Sequence, residues 1–512
     1  MSLVTSADDR GAGSLREAIA NASPGDTITF AANLQGKTIT LREELLIPKN
    51  LTIDGKDARG IAISGDRQSR VFNLNQQGIS ATLRNLTITE GKAGGDGLGG
   101  GIRMEAKTTL VVENSNLSNN VSTGEGGGGI WTGYQSTTTI LNSTFVGNNG
   151  TSGRKERGGG AIAGGSEGNL TVKNSTFTNN RGSVGGAINS LLGNLTIENS
   201  TFSDNASAGG GGLGGISSGG YGGAIYTDGA SATPNASTRG NIIIRNSRIA
   251  GSRGAGQGGG LFLYGYRGDK IVVENSTIAN NEVIPDRKGE SFGGGLRVGG
   301  GAELTITNVM FANNRAHVQG GGFWIGDNSS FAIANSSFCN NQAKSEGGGV
   351  NLGGGMLIAG VPGRITQTTI ANNTAAFQGG GFWGGGANVR VANSILSNNR
   401  GINGYNVHHH TGQSFGDAGG NVQSPDPNPK DTKITAGVKL IDPQLSACAD
   451  NGGAVPTHPR PGNPQVRGGA VSQLLEIENV AIAPSPLVFM GDSLALLGAI
   501  GVFCLLKLGQ RK

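Results

Sequence analysis

The chain has 512 residues, 95 of them Gly, with 40 Lys and Arg against 35 Asp and Glu, a formal charge of +5. Gly at that level without a collagen triplet excludes a triple helix, and so diffuse a positive balance gives no argument for nucleic acid. Cys339, Cys448 and Cys504 are far apart and odd in number, which predicts no disulfide framework.

Residues 1–84 read as the closed end of a rod. Ser14-Leu15-Arg16-Glu17 is a capping box, opening a short helix whose apolar face is Leu15, Ala18, Ile19 and Ala22. Pro24-Gly25 ends that helix. Strand-like runs follow at Thr27 to Phe30, Thr38 to Leu41, Leu51 to Ile53 and Val71 to Leu74. The helix is expected to act as a lid over an open sheet end. Met1 to Arg10 contains no apolar run, so no secretory signal is read there.

Residues 85–400 are repetitive. The run from Leu195 to Asn205, LTIENSTFSDN, recurs around the anchors Asn85, Asn114, Asn142, Asn174, Asn199, Asn246, Asn275, Asn308, Asn335, Gln367 and Asn393. Two residues before the last ten anchors stands Ile or Val, and three after stands Phe, Leu or Ile. Six after stands Asn, with Ser252 as the exception. Between anchors a Gly run precedes one apolar residue: Ile102, Ile130, Ile162, Ile188, Ile225, Leu261, Leu296, Phe323, Val350 and Phe382. A fixed period of this length, short alternating runs and Gly or Asn at each corner predict a single-stranded right-handed parallel β-helix, all-β, with one coil per repeat. About ten coils at about 4.8 Å each give a rod near 50 Å long. The repeated Asn residues are expected to stack as ladders rather than to bind metal or glycan.

Two outward rows follow from this register. The residue before the anchor reads Lys173, Glu198, Arg245 and Glu274 in consecutive coils, an alternation that charge pairing explains better than a Ca²⁺ site. The residue after the Gly-run apolar position reads Arg103, Trp131, Ala163, Asn189, Tyr226, Phe262, Arg297, Trp324, Asn351 and Trp383. Trp131, Tyr226, Phe262, Trp324 and Trp383 are the candidate ligand-binding residues, an aromatic strip for sugar rings or a partner surface. The competing reading is that Gly-rich loops such as Gly209 to Gly223 fold over and bury them.

Residues 401–470 close the rod. His408-His409-His410 is read as a solvated loop, since adjacent side chains diverge and no ligand spacing accompanies them. A strand-like run at Ile434 to Ile441, then Asp442-Pro443-Gln444-Leu445, Asp450-Asn451-Gly452-Gly453 and Thr457-His458, complete the region.

The Gly-Gly-Ala-Ile and Phe-x-x-Asn repeats resemble those of polymorphic outer-membrane proteins. Gly13 to Ile19 resembles a CSLREA-type start, with Gly13 in place of its Cys, and Asp442 to His458 resembles a choice-of-anchor Q domain, though Gln465 to Ala470 departs from that domain's usual finish. The resemblance implies a pectin-lyase-like solenoid displayed at or released from the cell surface, with no catalytic residues to carry over. Residues 471–512 form a linker and tail, in which Leu487 to Leu506 is mostly apolar and resembles a bacterial sorting signal without its Pro-Glu-Pro triplet. That tail is expected to anchor the chain in the membrane.

The expected function is that of a non-catalytic adhesin or matrix component of the cell envelope, surface-exposed or secreted, binding polysaccharide or another surface. The alternative is a polysaccharide lyase or glycoside hydrolase on the same scaffold. No catalytic residue, cofactor, metal or nucleic-acid partner is assigned, and the oligomeric state is open.

Overall fold

Runs such as Thr109–Glu113 alternate buried and half-buried side chains and are cut short at Asn114, which leaves most strands at two to five residues joined at sharp corners, although Lys270–Ala279 and Glu303–Ala312 run on through the anchor. A computed structural model describes residues 2–445 and 448, apart from residues 152–157, 208–219, 231–238, 345–349, 406 and 427–430. The described residues lie in one unit, Met1–Leu474. They form a pectin-lyase-like parallel β-helix of about 13 turns with almost no helix. The count exceeds the expected ten because residues 1–84 coil as well.

Among the described residues every strand pairing is parallel. One wall is a twelve-stranded sheet made from the Gly-run positions, such as Ile102–Met104, Leu261–Tyr264 and Phe382–Gly384. The other two walls belong to one larger sheet, folded at each coil by the anchor Asn in the left-handed region: Asn114 and Asn142 both have φ 48. Asn tolerates that conformation where a β-branched residue would be strained.

Inward positions stack on their equivalents. Phe145, Phe177 and Phe202 lie ring on ring at 4.6 and 4.7 Å, and Phe311 and Phe338 at 4.5 Å. Beside them runs the expected Asn ladder. The Asn148 side chain donates to Asn180 Oδ1 at 3.0 Å, and Asn180 to Asn205 at 3.0 Å. Ser252 interrupts it, and it resumes from Asn281 to Asn399.

Four details depart from the sequence expectations. In the coil after Phe323 the inward place belongs to Met356, paired with Phe323 and Phe382, while Val350 is 59% exposed. The outward residue there is therefore Leu357 and not Asn351. In the capping box Ser14 accepts the Glu17 N–H as expected, but Glu17 reaches the Gly13 N–H at 2.6 Å, since the Ser14 N–H is taken by the Gly11 carbonyl. Finally, Cys339 and Cys448 form a disulfide across 109 residues. Cys339 follows the inward Phe338 and meets Cys448 from beyond the His408–His410 segment of the chain, and linear spacing gives no sign of that meeting.

Candidate functional site

The aromatic strip lies on the twelve-stranded wall as expected, yet most of it is covered. Tyr226 and Phe262 are 5% exposed and Trp324 is 8% exposed, while Trp131 and Trp383 are half-buried. Tyr221 packs on both Tyr226 and Phe262, at 5.9 and 5.4 Å, and Phe292 stacks on Trp324 at 5.8 Å. Arg297 fills the gap between Phe262 and Trp324, its guanidinium 3.7 Å from the Trp324 ring centroid and paired with Asp327 at 2.5 Å. Burial works against the Arg297 charge and Asp327 opposes that effect. Burial, then Asp327 and Asp228, push the nearby Tyr264 hydroxyl up, so it stays protonated and offers no base.

The charged row is a ladder. Lys173 meets Glu198 at 2.9 Å, Arg245 meets Glu198 at 3.1 Å, and Arg245 meets Glu274 at 3.8 Å. The hydrogen bond and charge of Lys173, with Arg245 behind it, hold the Glu198 carboxyl below its ordinary range despite partial burial, so it is no proton donor. A groove of about 590 Å³ beside Lys56, Arg59, Asn85 and Asn114 likewise holds no acid or His along its lining.

Proton-transfer groups gather instead where the repeat dissolves. The carbonyls of His408, His409 and His410 accept from the N–H groups of Gly379, Gly380 and Gly381 at 2.8, 2.7 and 3.0 Å. In the preceding coil Gln378, Gly379 and Gly380 accept from Gly353, Gly354 and Gly355 at 3.3, 3.0 and 2.8 Å, and Thr411 pairs with Phe382 beyond the triplet. The histidine triplet therefore occupies the Gly run of the last coil. It is not the solvated loop expected from sequence. His410 is 2% exposed, and each ring has a partner brought by the returning chain.

Those partners are specific. His408 Nδ1 meets Thr432 Oγ1 at 2.8 Å, and His409 Nδ1 meets Asp426 Oδ2 at 2.7 Å. Asp431 accepts the His409 backbone N–H at 2.6 Å through one oxygen and His410 Nδ1 at 2.9 Å through the other. His410 Nε2 faces Ser424 Oγ at 3.0 Å. Burial disfavours the Asp431 charge, but the hydrogen bond and charge of His410, with the contributions of His409, outweigh it and hold the carboxyl below its ordinary range.

Of these groups His409, His410, Ser424 and Asp426 line an open cavity of about 340 Å³, together with Asn398 and Arg400. Arg400 is exposed and makes no ion pair among the described residues. His410, Asp426 and Asp431 also bring possible metal-ligand atoms within 4.8 Å of one another. Both nitrogens of His410 are already engaged, so the imidazole has no lone pair for an ion without giving up Ser424 or Asp431. The set fits a hydrogen-bonded relay better than a metal centre.

No family model and no curated protein matches the chain, so the polymorphic-protein, CSLREA-type and choice-of-anchor memberships gain no support. Several solved structures are similar to the chain over most of its length. The alginate lyase AlyF-OU02 is 14% identical, with TM-score 0.45, over 85% of this chain and 86% of its own. A mutant of the periplasmic alginate epimerase AlgG is 9% identical, with TM-score 0.39, over 86% and 84%. The pectate lyase Pel9A is 12% identical, with TM-score 0.24, over 86% and 76%. Likeness at this level adds nothing to the solenoid already described.

The expectation of a non-catalytic adhesin or matrix component is corrected here. The aromatic strip that motivated that reading is largely packed over rather than open. The expected membrane tail, Leu487 to Leu506, and the Asp450 to His458 motifs lie outside the described residues. Among the described residues no helix is long and apolar enough to cross a membrane.

Proposed function

We propose that this chain is a polysaccharide lyase that cleaves an acidic polymer by β-elimination in the cavity beside the histidine triplet. The observation that carries the reading is the pairing, in one cavity, of an unpaired Arg400 with His409, whose Nδ1 is held by Asp426 and whose Nε2 has no partner among the described residues. With Nδ1–H donated to the carboxylate, Nε2 carries the lone pair.

Elimination at a uronate needs those two groups. Arg400 binds the carboxylate with its planar fork and offsets the charge that develops when the neighbouring C–H is broken. His409 Nε2 takes that proton, the carbon–carbon double bond forms, and the β C–O bond breaks. The departing oxygen then receives the proton from His409. Glycoside hydrolysis fits less well, because it needs two carboxyl groups facing one bond, and Asp426 and Asp431 are both turned onto histidines.

Alginate and pectate are the first polymers to try, being those named for the solenoids above. Trp383, half-buried and edge-on to His408 at 6.4 Å, is the aromatic residue of the strip placed to flank a bound chain. Within this reading residues 1–84 cap the rod, 85–400 form its shaft, Arg400 and the return through Asp431 carry the site, and the protein works at the envelope or outside it.

The test is incubation of the full chain with polyuronates, following unsaturated chain ends. His409→Ala should lower the rate by about 10²-fold or more, and Arg400→Ala should raise KM. Absence of unsaturated ends, or a wild-type rate in His409→Ala, overturns the reading.

A further inference from the structure

The lyase reading uses His409 and Arg400 and leaves a second set of groups in the same cavity without a task. Asp431 Oδ2 meets His410 Nδ1 at 2.9 Å, and His410 Nε2 meets Ser424 Oγ at 3.0 Å, in line through one imidazole. His410 is 2% exposed and the Asp431 side chain 3% exposed, so the relay is shielded from water, while Ser424 and His410 both line the open cavity. The Asp431 carboxyl, held below its ordinary range by the balance already described, stays ionised at neutral pH and fixes the proton of His410 on Nδ1. Nε2 is then an acceptor and the Ser424 hydroxyl its donor. The Asn398 backbone N–H donates to Ser424 Oγ at 3.0 Å and sets the direction of that hydroxyl.

A histidine that only fastened a loop would need one of these bonds. Here a carboxylate orients a base, the base faces a hydroxyl, and the hydroxyl borders a cavity, which is the arrangement that activates a serine.

We propose that Ser424, His410 and Asp431 form a nucleophilic triad that hydrolyses short-chain acyl esters of a sugar or other polyol. Ser424 Oγ forms a bond to the acyl carbon as its proton passes to His410 Nε2. The tetrahedral oxyanion collapses, the bond from the acyl carbon to the alcohol oxygen breaks, and that oxygen takes the proton from Nε2. Water then adds to the acyl-serine, giving one proton to Nε2, and the acid leaves as Ser424 Oγ regains that proton. Arg400, in the same cavity, is the cation closest in kind to what the oxyanion needs. A cavity of about 340 Å³ suits an acetyl-sized group on one sugar rather than a long acyl chain.

The experiment treats the full-length protein with a fluorophosphonate probe, maps the modified peptide, and measures hydrolysis of p-nitrophenyl acetate and release of acetate from an O-acetylated polysaccharide. The expected result is an adduct on Ser424, absent in Ser424→Ala. Hydrolysis should fall by about 10³-fold or more in both Ser424→Ala and Asp431→Asn, with the circular-dichroism melt of Ser424→Ala unchanged. No adduct on Ser424 of the wild-type protein, or hydrolysis surviving in Ser424→Ala, overturns the proposal. Labelling is read on the wild-type protein, so a folding defect in a variant cannot mimic it. His409→Ala, which abolishes elimination under the lyase reading, leaves the Ser424 adduct in place, so failure of one activity is distinguishable from failure of the other.

Discussion

Gly381 donates its backbone N–H to the carbonyl of His410 at 3.0 Å, next to the bridge that pairs Phe382 with Thr411. The two residues share one wall position in successive coils, yet only one carries a side chain. At Gly381 an added Cβ would meet the His410 carbonyl oxygen at 2.7 Å and Asn399 Cγ at 3.2 Å. At His410 the next stretch of chain is the looser return through Ser424 and Asp431, which leaves room for an imidazole. The site thus sits where the solenoid stops imposing glycine.

Gly381→Ala should therefore destabilise the fold by about 1–3 kcal/mol, because the crowding is against backbone and a buried ladder residue. Gly404→Ala, where an added Cβ meets nothing within 4 Å, should leave stability unchanged. Chemical denaturation of the two variants checks this, and equal stability would show that the wall tolerates side chains.

The solenoid was legible because inward stacking forces the same residue types to recur: Phe177 and Phe202 had to align once their strands did. The charge ladder from Lys173 to Glu274 was legible for the same reason. The Met356 register was not, since Gly347–Gly349 and Gly353–Gly355 both offer a Gly run at acceptable spacing and only pairing chooses between them. The histidine site escaped because its parts belong to different kinds of sequence. His408–His410 is visible as the last member of the Gly-run series, in register through Thr411 beside Phe382. Ser424, Asp426 and Asp431 return through a Pro-rich segment that obeys no period.

The Cys339–Cys448 bond has a direct chemical test. Of three cysteines in the chain, denatured protein purified without reductant should show one reactive thiol, and three after reduction. Cys448→Ser should lower stability by up to about 5 kcal/mol in the chain-entropy account of a loop this long. Three thiols in the unreduced protein would exclude the bond.

One acid-sensitive network lies in the early coils. Burial disfavours the charge of Asp54, but the Asn85 side chain at 2.7 Å, the Lys56 N–H at 3.0 Å and Arg84 at 2.9 Å outweigh it and lower the carboxyl below its ordinary 3.8. A depressed carboxylate contributes stability that is present above its unfolded value and lost as pH falls through the lower, folded value. The difference in Tm between wild type and Asp54→Asn should thus shrink only below about pH 4. A difference already gone at pH 5 would mean that Asp54 carries no such network.

Asn341 is the residue whose loss should cost the shaft most. Its Oδ1 accepts both the backbone N–H and the side-chain amide of Asn314, each at 3.0 Å, and its own amide donates to Phe311 O and Asn373 Oδ1, each at 2.9 Å. All of these atoms are buried, so Asn341→Ala takes this partner from the Asn314 backbone N–H, the Asn314 amide and the Phe311 carbonyl where water cannot reach, while Asn373 Oδ1 keeps the Asn341 backbone N–H at 2.9 Å. Each such orphan costs about 1–3 kcal/mol, and even partial relaxation leaves a loss of about 3 kcal/mol or more. Asn205 makes a milder comparison. Its amide donates to Phe177 O, and the ladder beyond it is already broken at Ser252, whose hydroxyl turns to its own coil at Ala250 O. Asn205→Ala removes one side-chain donor bond where Asn341→Ala removes two, so its loss of stability should be the smaller. Equilibrium denaturation of both variants decides the matter: equal losses would show that the ladder acts residue by residue, and a larger loss at Asn341 that continuity across coils carries the stability.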